Sequence, residues 1–225
     1  GSTASFDQDI SELEENKKYR LTVRNITYPT EELVINRIKK SEDFNTGSWT
    51  KSGIAVTSND TTAIDGTNAD KIFAYSSINY CRQNIQTNTG EPMAVSVYVK
   101  RDSANSFNVK VFKDSITVDL VNYTATGSAK MSNVQIKEIN DGWYRVSGIY
   151  TPTATSVYSY GIESITSGTG LWLWGFQVQR NPEVSLYLRN DSSTQDSHSH
   201  VNTDLRTVEN LMIYSDDLSN SAWNK

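Results

Sequence analysis

The chain has 225 residues, a formal charge of −5 and a mean hydropathy of −0.53. Its five tryptophans, twelve tyrosines and six phenylalanines are too many for a disordered chain, so a packed core is expected. The acidic balance and the lack of a long Lys/Arg cluster argue against nucleic-acid binding, and the lone Cys81 rules out an internal disulfide. The longest strongly apolar run, Leu171 to Phe176, is too short for a spanning helix, so no membrane insertion is expected.

Residues 5–18 read as a short helix. Ser5 to Gln8 fits a capping box, and Phe6, Ile10 and Leu13 form a narrow apolar stripe. A helix this short is marginal alone, so residues 1–35 are expected to act as a connector or docking segment. From Tyr19 the period becomes two, first over 19–26 and then over 93–100, where Met93, Val95, Val97 and Val99 share one face. Further strands are expected at Phe107–Val111, 142–150, 157–162 and 171–178. Turn signals lie between them at Asp65-Gly66, Thr89-Gly90, Asp141-Gly142, Thr151-Pro152 and Ser167 to Gly170. Many short strands with regular turns predict an all-β fold, an antiparallel β-sandwich of jelly-roll type over residues 36–190. The Ser/Asp/His-rich tract that follows cannot bury a core, so 191–209 is expected to be an extended linker.

One stretch repeats. Asn36 to Lys51 aligns without gaps to Asn210 to Lys225, with identical Asn, Ser, Asp, Trp and Lys at matching places. Residues 210–225 therefore read as the truncated start of a second domain of the same kind.

Five motifs in order carry a resemblance. They are Ser41-Glu-Asp-Phe44 with Trp49 and Lys51, then Asp65 to Lys71, Val97 to Lys100, Gly142 to Val146 and Leu173 to Gln177. Together they resemble the carbohydrate-binding-like jelly-roll domain of bacteriophage tail fibres and other virion structural proteins, over about Asn36 to Arg180. The resemblance implies a non-catalytic module at the virion surface, with other virion proteins as partners and a host cell-surface glycan as ligand. It equally admits a structural spacer, decoration or assembly module without ligand. A homo-oligomer, with a trimer favoured, goes with that setting.

Sugar binding needs flat aromatic faces with polar side chains beside them. Tyr98 and Lys100 lie opposite the Met93/Val95/Val97/Val99 face, and with Tyr80 and Arg82 they are the first candidates for an aromatic–polar platform. Tyr158 and Tyr160 are similar candidates, and Trp172 is the tryptophan most open to a binding role. Trp49, Trp143 and Trp174 are expected in the core, with Trp172, Trp174, Phe176 and Val178 on one face of their strand. Ordinary solvent-facing cross-strand pairs are the alternative reading of the platform. No cofactor is required. A structural calcium would draw on Asp60, Asp65, Asp70, Glu42 or Asp43, although solvated loop acids explain them equally. His198 and His200, the only histidines, would meet around a threefold axis in a trimer and could then hold an iron, or simply lie in a polar linker. No nucleophile relay or singled-out carboxylate pair points to an enzyme.

Overall fold

The structure is a computed structural model and describes residues 35–193. The expected helix over 5–18, the strand over 19–26, His198, His200 and the second repeat copy lie outside the described residues. Among those residues the chain forms β1 (Thr50–Ser52), β2 (Ile54–Thr62), β3 (Asn68–Ala74), β4 (Tyr80–Thr87), β5 (Met93–Arg101) and β6 (Ser106–Val111). It continues with β7 (Asp114–Asp119), β8 (Thr124–Gly127), β9 (Met131–Asn140), β10 (Trp143–Tyr150), β11 (Ser156–Glu163) and β12 (Gly170–Arg180). They make two six-stranded antiparallel sheets. The front sheet runs β1-β4-β11-β6-β7-β8, and the back sheet runs β2-β3-β12-β5-β10-β9.

Alternation explains which residues meet between the sheets. Met93, Val95, Val97 and Val99 of β5 face inward from the back sheet, and Val146 and Tyr150 of β10 join them. Cys81 and Ile85 of β4, Phe107, Val109 and Val111 of β6, and Tyr160 and Ile162 of β11 face them from the front sheet. Asp141 and Gly142, at φ 48° and 78°, form the two-residue turn between β9 and β10. Positive φ at both central positions matches the twist of a tight hairpin, and Asp-Gly supplies it at little cost.

Strand β12 breaks the alternation. Leu171 and Leu173 face the core, and so do Phe176 and Val178. The register shifts between Trp174 and Gln177, and Gly175 sits at φ 60°. This bulge adds one residue and flips the parity of the strand. The expectation that Trp172, Trp174, Phe176 and Val178 share a face is thereby corrected, because the two tryptophans point outward. Trp49 is in the core as expected, its ring tilted against Phe44 and edge-on to Phe176. Trp143 and Trp174 are buried too, but in a separate cluster on the outer side of the back sheet.

A polar seam joins the start of the described chain to its end. The Asn36 side-chain amide donates to the carbonyls of Phe176 and Leu188 (3.0 and 2.9 Å), and its Oδ1 accepts from Val178 N. Ser41 N donates to Asn190 O at 2.7 Å, and Lys40 N to Ser192 O at 3.1 Å. Gln83 clamps both backbone groups of Lys39 from β4. Buried amides and carbonyls need such partners. The seam brings the chain's entry and exit from the sandwich side by side.

Candidate functional site

The outer face of the back sheet is largely roofed. After β12 the chain turns back over it. Ser185 Oγ bonds to the Gln179 side chain (2.8 Å), Gln177 binds Leu186 O, and Arg145 Nη2 donates to Ser185 O at 2.7 Å. Tyr187 then covers Trp174 and Tyr98, with ring centroids 4.6 and 6.0 Å away. Its hydroxyl donates to Glu42 Oε1 at 3.1 Å and shares a 2.6 Å hydrogen bond with Ser41. Burial pushes the Glu42 carboxyl up, while Arg189, 3.4 Å away, holds it down.

Tyr98 is consequently 7% exposed, and burial raises its phenol above the ordinary range. It is part of this cluster, with Arg145 against its ring. Lys100 pairs across strands with Trp143 and Trp172. Trp172 is half-buried at the rim, where its indole N–H donates to Asp60 Oδ2 at 2.7 Å and Lys71 Nζ lies 5.2 Å from the ring centre.

The front sheet presents a different surface. Tyr80 and Arg82 are alternate residues of β4 and lie on its outer face, opposite the inward-facing Cys81. The Arg82 guanidinium rests 4.0 Å from the Tyr80 ring centre. Across β11, Tyr80 faces Glu163, Arg82 faces Gly161 and Asn84 faces Ser159, whose hydroxyl donates to Asn84 Oδ1 at 2.9 Å. Across β6, Gly161 faces Lys110 and Glu163 faces Asn108. Lys110 and Glu163 form an ion pair at 3.5 Å. A side chain at position 161 would begin 2.1 Å from Cys81 O, so only glycine fits there. The glycine lets the β4 backbone pack close against β11, between the cross-strand positions of Arg82 and Lys110.

The four residues expected to form one platform therefore divide between two sheets. Tyr80 and Arg82 lie on the front, and Tyr98 and Lys100 lie on the back. Strand pairing is not local information, and β4 and β5 belong to different sheets. Tyr158 is in the front sheet, but Phe112 packs on its ring at 3.5 Å between centroids and Lys113 lies over it, which leaves it a packing residue. Glu163, Lys110, Asn108, Asn84 and Ser159 were missed from sequence. The signal for three of them was available, because they alternate with core positions in the expected strands 107–111 and 157–162.

The acids considered for calcium are each engaged in the fold. Asp65 Oδ1 accepts from the backbone and hydroxyl of Thr67, and Asp43 Oδ1 accepts from Asn45 N. Asp70 accepts from Phe44 N and Asn59 N, while Asp60 and Glu42 hold Trp172 and Tyr187. Among the described residues no group of three or more His, Cys, Asp or Glu side chains is placed to hold a metal.

No family model matches this sequence, and no curated protein matches it. Solved structures do. The CBM22-1–GH10 modules of the Clostridium thermocellum endo-1,4-β-D-xylanase 10B, complexed with xylohexaose, match at 14% identity and a TM-score of 0.43, over 70% of this chain and 29% of that one. The CBM22-1 xylan-binding domain of Paenibacillus barcinonensis Xyn10C matches at 18% identity and 0.40, over 65% and 92%. The enzymatically active domain of bacteriophage CBA120 tailspike protein 4 matches at 11% identity and 0.40, over 64% and 21%. At this level of likeness they assign neither ligand nor activity to this chain.

Proposed function

We propose that this chain is a non-catalytic glycan-recognition module that binds on the outer face of its front sheet. One observation carries the reading. The back sheet is largely roofed by its own tail, whereas the front sheet presents Tyr80, Arg82, Glu163 and Lys110 side by side on the paired strands β4, β11 and β6. The Tyr80–Arg82 stack offers a flat surface for sugar C–H groups. Arg82 and Lys110 donate to hydroxyls or to a sugar carboxylate, and Glu163 accepts from paired hydroxyls.

The wider setting belongs to the same proposal. The sequence motifs support a jelly-roll domain at a virion surface, with residues 210–225 opening a second copy in an array. The residues identical in both repeat copies support that reading, because in the first copy they hold the fold. Asn36 and Ser41 make the polar seam, the Trp49 indole N–H donates to Lys40 O at 3.1 Å, and Lys51 Nζ donates to the carbonyls of Phe44, Asn45 and Thr46. Sister modules would multiply weak sites into avidity. A trimer, in which His198 and His200 could hold an iron, belongs to the same proposal, and a mass measurement that finds a monomer contradicts it.

A glycan array probed with the wild-type protein, Arg82→Ala and Glu163→Gln tests the site. Wild type is expected to retain a set of glycans that both variants lose. Retention of the same glycans by both variants, or of none by wild type, contradicts the reading.

A further inference from the structure

The outer face of the back sheet is not covered along its whole length. Past the roof, between the tail and strands β9 and β10, lies a pocket of about 310 Å³ lined by Asn133, Gln135, Ser147, Ile149, Glu183 and Val184. We propose that it is a second saccharide site, separate from the front-sheet face and suited to a single neutral sugar ring.

The lining determines the ligand class. Ile149, 5% exposed, and Val184 offer only a small apolar edge, so the polar side chains carry the recognition. Asn133, Gln135 and Ser147 both donate and accept, and Glu183 accepts only. No Lys or Arg is in the lining, and the carboxylate disfavours an anionic ligand. The front-sheet face, with Arg82 and Lys110, has the opposite preference. The volume is at the lower end of small-ligand pockets, which run from roughly 300 to 1,000 Å³.

Two independent features hold the pocket ready. The β9–β10 register shifts between Ser147 and Ile149, and Asn133 adopts φ 51° there. A bulge of this kind re-aims side chains, and bulges gather beside binding sites. Asn is among the residues that tolerate positive φ. The opposite wall is anchored on both flanks. Glu183 N donates to Asn181 Oδ1 at 3.0 Å, and Ser185 is held by Gln179 and by Arg145, which also binds Ser96 Oγ. A wall fixed before binding spares the ordering cost that a loose loop would pay.

Titrating the isotope-labelled protein with neutral monosaccharides and with a uronic acid, followed by amide chemical shifts, tests the proposal. Neutral sugars are expected to move the amides of Asn133, Gln135, Ser147 and Glu183, while the uronic acid leaves them in place. Glu183→Ala and Gln135→Ala should each weaken the neutral sugar by about tenfold, the loss expected for one good polar contact. Arg82→Ala should leave this site unchanged, which separates it from the front-sheet reading. A well-dispersed spectrum shows that each variant is folded. The proposal is overturned if no neutral sugar moves these amides, if the shifts survive unchanged in a folded Gln135→Ala/Glu183→Ala protein, or if they depend on Arg82.

Discussion

Asp70 ties three stretches of backbone together through one carboxylate. It projects from β3, where Oδ2 accepts from Phe44 N at 2.8 Å and Oδ1 from Asn59 N at 3.0 Å. Burial raises its pKa, and the backbone donors of Asn59, Phe44 and Asn45 pull it back part of the way. Asp70→Asn keeps the shape but offers only one acceptor, so a buried N–H loses its partner at a cost of about 1–3 kcal/mol. Because the folded state holds the Asp70 proton more tightly than the unfolded chain, its contribution is complete below the unfolded pKa. That contribution is lost as pH rises through the raised folded value. Urea unfolding across the acid-to-neutral range should therefore show a wild-type deficit growing with pH from this group, and a flatter profile in Asp70→Asn. An identical pH slope in both proteins would remove Asp70 from the account. Cys81 gives a second prediction at this scale. Burial pushes its thiol up to about 12, so at neutral pH it is a thiol with no access to solvent. A thiol reagent should modify it only as the protein unfolds, and fast labelling of the native protein would contradict its placement in the core.

At the scale of the element, β12 decides what each face of the back sheet becomes. Gly175 at φ 60° lets the strand switch sides, and a Cβ there would come within 3.1 Å of the Tyr98 ring and 3.2 Å of Tyr187. Gly175→Ala should cost about 1–3 kcal/mol from the backbone conformation alone, measurable as a lower urea midpoint, and a neutral effect would count against the bulge. The same position shows how far the sequence can be read. The β5 run alternates cleanly because one side is core, so its four inward residues were legible. A bulge changes parity without changing composition, so the facing of Trp172 and Trp174 was not. Strand β9 is exposed on most positions at the sheet edge, and an edge strand with little buried area leaves a weak pattern. The polar seam of Asn36, Ser41 and Asn190 was invisible for another reason. Its partners are more than 130 residues apart in the chain, and polar residues announce no burial. For the candidate site, Tyr80 and Arg82 were legible as an aromatic–polar pair two residues apart, although no strand was read over 80–87. Their neighbours Glu163 and Lys110 depend on which strands pair.

For the whole molecule, the two outer faces have separate fates. The back face is closed over most of its area by aromatic packing around Tyr98, Trp143, Trp174 and Tyr187, and the front face stays open and polar. The most direct test exploits the inert Cys81. Asn84→Cys on the front face and Thr57→Cys on the back sheet each create one accessible thiol, which can carry a bulky maleimide label. The two labelled proteins are then compared with the wild type on a glycan array. The account predicts that the label at position 84 abolishes retention of the glycans that Arg82→Ala also loses, and that the label at 57 leaves their retention intact. Retention that survives the label at 84 and is lost with the label at 57 would contradict it.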